Sequence, residues 1–266
     1  MPGPDLTIPL LEELFSLKGK IAVVLGGTSG IGLSISRAFA KAGARAVISS
    51  SRSAELVEHA AGELAGLGCQ TLAATSDVQD RDSLVRLRDS VLAQFGQVDI
   101  LLVAAGINMK LPSLAMAESD FARVIDTNLT GTFRANQVFG ESMVARRKGS
   151  IINIASIASF HSILEMTAYS ASKSGVISIT ESLAFEWARH EVRVNAIAPG
   201  SFRTALSSKF LATPGRLEYL LSHIPAQRLG ELSELTGAAI YLASDGASFV
   251  TGETIVIDGG LLLNGI

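Results

Sequence analysis

A tyrosine and a lysine, one helical turn apart, are the residues of this chain best suited to moving a proton. Tyr169 and Lys173 differ by four positions, so a helix would bring both side chains to one face. We expect the Lys173 charge to lower the pKa of the Tyr169 phenol from its usual value near 10, making it an acid and a base. Ser156 lies 169 − 156 = 13 residues earlier, and its hydroxyl could bind a substrate oxygen. Such a pair also occurs by chance on helix surfaces.

The first apolar run leads into a glycine-rich turn and then into a helical stretch. The turn reads Leu25-Gly26-Gly27-Thr28-Ser29-Gly30-Ile31-Gly32. Residues without a Cβ are needed where a pyrophosphate approaches backbone amides at a helix N-terminus. The G-x-x-x-G-x-G spacing differs from the usual G-x-G-x-x-G, and an ordinary flexible turn is the alternative. Its position after the first strand favours dinucleotide binding.

The end of the second predicted strand bears on which dinucleotide is bound. An acidic residue there would accept from a free ribose 2′-hydroxyl, whereas this chain has Ser49-Ser50-Ser51-Arg52. A guanidinium suits a phosphate, so NADP(H) is favoured and NAD(H) stays possible; Arg52 could also be a solvated residue at a helix start. Asp77 could accept from the adenine amino group or cap the next helix.

These residues need a scaffold, and β-branched apolar runs alternating with helical stretches predict one. Seven strands are predicted, at 21–25, 46–50, 70–75, 99–103, 150–155, 192–198 and 254–257. The runs are apolar on both faces, so helices should cover both sides. We predict an α/β fold in one domain, a doubly wound, Rossmann-like parallel sheet of seven strands, with ligands at its carboxyl edge.

Composition limits the kinds of partner. The chain has 266 residues and a net charge of −3, which gives no support to nucleic-acid or membrane binding. Cys69 is its single cysteine, which fits a reducing compartment, and we expect a cytoplasmic protein without a metal site. Residues 1–17 read as an N-terminal arm before a catalytic domain at 18–266.

Taken together, these features resemble the short-chain dehydrogenase/reductase family from Leu17 to Gly260. The resemblance includes the glycine turn, Asp77-Val78, Asp126-Thr127-Asn128 and the closing Asp258-Gly259-Gly260. It implies that Asn128 bends its helix and holds a water linked to Lys173, and that Lys173 binds the nicotinamide ribose. The implied catalytic set is Asn128, Ser156, Tyr169 and Lys173. The implied cofactor contacts are Gly26, Thr28, Ser29, Gly30, Ile31, Gly32, Ser51, Arg52, Asp77, Val78, Ala105, Gly106, Tyr169, Lys173, Pro199, Gly200, Phe202 and Thr204.

Two positions depart from the family pattern, which usually has threonine at Leu25 and asparagine at Ala104. The missing polar side chains predict a looser cofactor loop and leave the proton chemistry untouched. Substrate contacts are expected from Ser156, Ser159, Phe160, His161, Met166 and Tyr169, and from a lid at about 201–228 that includes Arg203, Lys209 and Phe210. His161 could equally be a polar rim residue.

The predicted function is hydride transfer between a nicotinamide cofactor and a secondary alcohol or ketone. Phe15-Ser16-Leu17-Lys18-Gly19-Lys20 and Glu186-Trp187-Ala188 resemble the branch of gluconate and other sugar or polyol dehydrogenases. A sugar acid or polyol is therefore preferred over a 3-oxoacyl thioester or another ketone. A cofactor-sensing binding protein is a less favoured alternative. The resemblance also implies a homotetramer, which would bury the apolar tail 261–263.

Overall fold

The β-branched apolar runs form one parallel sheet in a computed structural model that describes residues 10–203 and 215–263. Its strands follow the order β2-β1-β3-β4-β5-β6, with every neighbouring pair parallel. The strands are β1 (Ile21–Leu25), β2 (Ala46–Ser50), β3 (Ile100–Val103), β4 (Gly149–Ile154), β5 (Val192–Pro199) and β6 (Thr254–Ile257).

The helices connect these strands and cover both faces of the sheet. In the described ranges they are α1 (Leu11–Phe15), α2 (Gly30–Lys41), α3 (Ala54–Gly66), α4 (Arg81–Phe95), α5 (Glu118–Ile125), α6 (Gly131–Arg146), α7 (Thr167–Trp187), α8 (Arg216–His223) and α9 (Thr236–Ala243). A π-helical turn, Asp126–Thr130, separates α5 from α6. Alternation along β1 sends Val23 into the core beneath α4, α6 and α7, and Val24 into the core beneath α2 and α9. The predicted single domain with a doubly wound sheet is confirmed.

The prediction of seven strands is wrong, because the segment 70–75 does not pair continuously with β2. Gln70 forms a single bridge with Ala46, and the next backbone bond to this edge is from Ser76 N to the carbonyl of Ser51. Between them the Ser50 hydroxyl donates to the Ala74 carbonyl. A side chain thus satisfies a group that a backbone N–H would satisfy in a continuous ladder, and the sheet has six strands.

The winding direction reverses between β1 and β3, and this brings three connections to the same part of the carboxyl edge. The glycine turn follows β1, Gly106 follows β3, and Ser156 follows β4. In an open α/β sheet, ligands bind where the winding reverses. The fold therefore gathers the predicted cofactor turn and the predicted catalytic residues beside one crevice.

Within the described ranges, no helix has the length and apolarity that crossing a bilayer requires. Nor does this part of the chain contain a group of three or more His, Cys, Asp or Glu residues able to hold a metal ion.

Candidate active site

Asn128 connects the loop after β3 to helix α7. It lies in the π-helical turn and is fully buried. Its Oδ1 accepts from the Ile107 backbone N–H at 2.8 Å, and its Nδ2 donates to the Ile107 carbonyl at 2.9 Å and to Ser172 Oγ at 3.1 Å. A π-helical turn shifts the helical register locally, which accounts for the expected irregularity at Asn128.

Lys173 is buried at the carboxyl end of β4. Its Nζ donates to the carbonyl of Ile154 at 2.6 Å, and only 5% of the residue is exposed. Burial lowers the pKa of the Lys173 ammonium from its usual range to about 8. A Cβ on Gly106 would lie 3.8 Å from Lys173 Nζ and 3.2 Å from Asn128 Oδ1, so the two side chains border the same small space.

Tyr169 lies in the first turns of α7, on the same helix face as Lys173. The Lys173 Nζ is 5.8 Å from the centre of the tyrosine ring. Burial raises the pKa of the Tyr169 phenol, and a hydrogen bond with Ser156 opposes that rise. The expectation that Lys173 lowers this pKa is wrong for the protein alone. The reason is that desolvation dominates, while the Lys173 ammonium is directed at the Ile154 carbonyl.

Ser156 Oγ accepts from the N–H of Ala158 at 3.1 Å, which starts the short 3-10 turn Ile157–Ser159. This bond fixes the oxygen and leaves the hydroxyl proton to be donated. Ser156, Tyr169, Lys173 and Asn128 are thus brought together at one edge, from a strand end, a long helix and a helix interruption.

The sequence analysis missed Ser172, which joins two of the predicted catalytic residues. Its hydroxyl donates to the Tyr169 carbonyl at 2.7 Å while accepting from Asn128 Nδ2. The spacing in the sequence could have indicated this role, because residue 172 lies three positions after Tyr169 and shares its helix face. The missing information was that Asn128 packs against that face.

The glycine turn has the shape that a bound pyrophosphate needs. Gly26 has φ +75°, and a Cβ there would lie 2.6 Å from the backbone nitrogen of Ala105. Gly30 is the first residue of α2, has φ +51°, and has open space where a Cβ would stand. Ser29, the N-cap of α2, makes no side-chain hydrogen bond to the helix. The N–H groups in the first turn of α2 can therefore bind an anion. The residues present therefore fit a dinucleotide phosphate.

The glycine turn and the loop after β3 are joined through the backbone at Leu25 and Ala104, the two positions that depart from the family pattern. The N–H of Ala104 donates to the Leu25 carbonyl at 2.8 Å, and the Leu25 side chain is fully buried in the core. Together with the close approach of Gly26 to Ala105, this bond holds the turn against the loop after β3.

Ser50 and Ser51, at the end of β2, make different hydrogen bonds. Ser50 is fully buried and is bonded to Ala74 and Ser76, so its hydroxyl does not face the crevice. Ser51 Oγ instead accepts from Thr28 Oγ1 in the glycine turn at 2.9 Å. Arg52 is exposed directly after it.

The residues beyond the end of the 70–75 segment are held in a turn. Asp77 Oδ1 accepts from Gln79 N at 2.9 Å, and the N-cap of α4 is Asp80. The alternative that Asp77 caps this helix is therefore wrong. The Val78 side chain packs in the core, which leaves its backbone as the part that could contact a ligand.

The remaining predicted contacts lie at and after the end of β5, and on the loop after Ser156. Pro199 ends β5, Gly200 packs against Asp258, and Phe202 packs against Gly230. Phe160 and His161 are exposed on the loop after Ser156. Three predicted contacts, Thr204, Lys209 and Phe210, lie outside the described residues, as does much of the proposed lid.

The lowered pKa of the buried Lys173 predicts how the stability of the protein should depend on pH. The unfolded chain holds a proton at Lys173 that the native protein releases near pH 8, so the free energy of unfolding should rise with pH above about 8. Tyr169, whose pKa is raised, keeps its proton in both states over this window. From pH 7 to pH 9, the protein without added nucleotide should gain about 1 kcal/mol more stability than Lys173→Met.

Urea unfolding at the two pH values measures this difference. Lys41→Met, which removes an exposed lysine at the end of α2, is the matched control and should keep the wild-type pH dependence. Equal pH dependence in wild type and Lys173→Met would contradict the assignment of a buried, destabilised ammonium.

Comparison with known proteins gives the same picture over nearly the whole chain. The family model described as enoyl-(acyl carrier protein) reductase matches residues 26–262. The 2-dehydro-3-deoxy-D-gluconate 5-dehydrogenase of Escherichia coli (strain K12) is 38% identical, over 95% of this chain and 99% of that protein. The D-threitol dehydrogenase of Mycolicibacterium smegmatis is 38% identical over 92% and 94%. The 3-oxoacyl-(acyl-carrier-protein) reductase of Thermotoga maritima is 37% identical over 93% and 99%.

A solved structure of a related protein has the same fold over nearly the whole chain. The gluconate 5-dehydrogenase of Burkholderia cenocepacia, crystallised with NADP and tartrate, superposes with a TM-score of 0.91 at 34% identity, covering 94% of this chain and 98% of that one. The chain belongs to the short-chain dehydrogenase/reductase family of NAD(P)-dependent oxidoreductases.

Proposed function

We propose that the protein transfers hydride between NADP(H) and a secondary alcohol or ketone of a hydroxyl-rich substrate, a sugar acid or a polyol. The observation that carries this proposal is the convergence of Ser156, Tyr169 and Lys173 beside a turn that fits a dinucleotide phosphate. The names of the related proteins support the substrate class. When bound, the cofactor supplies or accepts the hydride.

Each residue has a separate task in this proposal. Tyr169 gives a proton to the substrate oxygen during reduction and removes it during oxidation. Ser156 donates a hydrogen bond to the same oxygen and positions it. Lys173, fixed on the Ile154 carbonyl, binds the nicotinamide ribose. Asn128 keeps the loop and α7 in register and holds a water linked to Lys173.

Two alternatives differ in substrate or in class. A 3-oxoacyl thioester reductase would use the same proton chemistry, and a relative of that name supports it. A cofactor-sensing binding protein would need the glycine turn but not the tyrosine. The presence of Ser156 and Tyr169 together with Lys173 argues against a sensor, because binding of a cofactor alone does not require a proton relay.

Replacement of the tyrosine hydroxyl tests the proposed chemistry. Tyr169→Phe should fold normally, bind NADPH and lose turnover by roughly a hundredfold to ten-thousandfold, because general acid and base catalysis is removed. Steady-state reduction of a panel of ketones and keto sugars with NADPH measures the loss. Tyr241→Phe, which alters a tyrosine packed on Phe15, should retain activity. A Tyr169→Phe enzyme with more than about a third of wild-type turnover would rule out the role.

The cofactor preference is proposed from the end of β2, where Ser51 and Arg52 adjoin the glycine turn. Asp77, Val78, Ala105, Gly106, Pro199, Gly200, Phe202 and Thr204 complete the proposed cofactor contacts. No carboxylate occurs from Ala46 to Arg52, so nothing in that segment repels a 2′-phosphate. NADP is also bound in the related structure from Burkholderia cenocepacia.

Substitutions at Ser51 and Arg52 should separate the two cofactors. Arg52→Ala should weaken NADPH binding by less than about tenfold and leave NADH almost unchanged, because an exposed charge pair contributes about 1 kcal/mol or less. Ser51→Asp should reverse the preference, since its carboxylate would repel the 2′-phosphate and accept from a 2′-hydroxyl. Fluorescence titration with both cofactors measures this, with Arg45→Ala at the other end of β2 as the charge control. Tighter NADH binding by wild type would contradict the proposal.

A homotetramer is proposed from exposed apolar side chains. Phe185 on α7 is 91% exposed, and Phe121 on α5 and Phe133 on α6 are about two-fifths exposed at 39% and 41%. Leu263, in the closing segment, is 87% exposed. Contact between subunits would remove these surfaces from water. Light scattering at micromolar concentration should give four times the mass of one chain, and a monomeric mass would contradict the proposal.

The organisation of the chain outside the catalytic core also belongs to this proposal. We assign residues 1–17 to an arm, 18–266 to the catalytic domain and about 201–228 to a substrate lid. Phe160, His161, Ser159, Met166 and Arg203 are the proposed substrate contacts beyond Ser156 and Tyr169. A cytoplasmic location is proposed from the single cysteine, Cys69.

A further inference from the structure

Two loops at the carboxyl edge of the sheet are joined to each other beside Tyr169. One loop follows β3 and the other follows β4, and these strands are neighbours. The N–H of Leu111 donates to the Glu165 carbonyl at 2.9 Å, and the hydroxyls of Ser113 and Thr167 are 2.7 Å apart. Beside these bonds, Lys110 Nζ is 3.6 Å from Glu165 Oε2. Lys110 and Glu165 are called the rim pair below.

The rim pair is tied to the catalytic residues through short lengths of chain. Lys110 is three residues after Ile107, whose backbone is held on both sides by Asn128. Glu165 is four residues before Tyr169, in the loop that leads into α7. Both members of the rim pair are therefore close along the chain to residues that build the candidate site.

Glu165 is held in an unfavourable backbone conformation. Its φ is +64°, in the left-handed region that residues with a Cβ seldom adopt. The hydrogen bond from Leu111 fixes the peptide in this state. Strain of this kind persists where surrounding contacts impose it, and it is concentrated at ligand sites.

We propose that the rim pair selects an uncharged, hydroxyl-bearing end of the substrate over a carboxylate. This inference rests on the proposed function and decides between its two substrate classes, the polyol and the sugar acid. The pair presents a donor and an acceptor side by side, and the hydroxyls of a polyol can both donate and accept. A substrate carboxylate would be attracted by Lys110 but repelled by Glu165, so the pair offers it little net attraction.

The exposure of the rim pair sets the size of the effect. Side-chain exposures of 33% for Lys110 and 35% for Glu165 mean that water screens both charges. Removal of one such charge should change selectivity by about threefold to fivefold. Arg203, exposed after Phe202, is the competing cation that would favour an acidic substrate.

Pairs of substrates that differ at one end test the proposal. An alditol and the aldonate of the same length, from four to six carbons, differ only in a terminal alcohol or carboxylate; D-glucitol and D-gluconate are one pair. For each pair, kcat/KM with NADP⁺ is measured for wild type and Glu165→Gln. Wild type should prefer the alditol, and Glu165→Gln should shift the ratio towards the aldonate by about threefold to fivefold.

A matched variant separates a local effect from a change in total charge. Glu141→Gln also removes the carboxylate of a surface ion pair, which Glu141 on α6 makes with Arg88 on α4, and it should leave the ratio unchanged. Lys110→Gln should shift the ratio further towards the alditol. Aldonate preference in wild type, or an unchanged ratio in Glu165→Gln, would overturn the proposal.

Binding provides a readout that does not depend on turnover. With NADP⁺ present, D-glucitol should raise the melting temperature of wild type more than D-gluconate does, and Glu165→Gln should reduce that difference. Equal stabilisation by the two ligands in both proteins, including no stabilisation by either, would overturn the rim-pair proposal. Failure of the proposed function would appear separately, as absence of hydride transfer to or from every substrate with an intact fold.

Discussion

The amide side chain of Asn128 holds together three parts of the chain that are distant in sequence. It satisfies both backbone groups of Ile107 in the loop after β3, and it donates to Ser172 in the middle of α7. Ser172 in turn donates to the Tyr169 carbonyl. Because Asn128 is fully buried, an alanine at this position would leave the N–H and carbonyl of Ile107 without these partners. This buried amide thus helps to fix the position of Tyr169 relative to the loop after β3, together with the bonds of Leu111 to Glu165 and of Ser113 to Thr167.

A second buried polar contact sets the charge of the site. Lys173 donates to the carbonyl of Ile154, and burial lowers the pKa of its ammonium to about 8. Burial acts in the opposite direction on Tyr169, whose pKa rises. In each case burial favours the neutral form, so in the protein alone both groups are disposed to be uncharged near pH 8 or above. Phosphate and ribose binding adds polar groups to this crevice, and proton transfer depends on how they alter that balance.

The proximity of the candidate catalytic residues could be predicted because much of it depends on regular geometry. Four residues along a helix, a serine after a strand and a glycine turn before a helix fix where side chains lie in any parallel α/β sheet. The parts that could not be predicted depend on individual tertiary hydrogen bonds. Ser50 donates to Ala74 and interrupts the pairing that would have made a seventh strand. The helix cap after the 70–75 segment is likewise Asp80, since Asp77 is already bonded to Gln79.

The rim pair also depends on a tertiary contact that the sequence pattern does not indicate. Lys110 and Glu165 are 165 − 110 = 55 residues apart and come from loops without a repeating pattern. Their proximity follows from the adjacency of β3 and β4 and from the left-handed conformation of Glu165. Neither is visible in residue spacing. The pairing of Tyr169 with Lys173 could therefore be predicted from the sequence more readily than the rim pair, because the first two lie on one regular helix and the rim pair lies on loops.

Isotope transfer tests most directly whether the protein passes a hydride between the cofactor and the substrate carbon. The protein is given NADPH with deuterium at both C4 positions of the dihydronicotinamide ring and a keto sugar in ordinary water, and the product is examined by mass spectrometry and NMR. We predict one deuterium on the carbinol carbon of each product molecule, with a hydroxyl proton from water. The reverse labelling, unlabelled NADPH in D₂O, should leave that carbon free of deuterium. Deuterium from solvent on the carbinol carbon, or product without cofactor deuterium, would contradict the account.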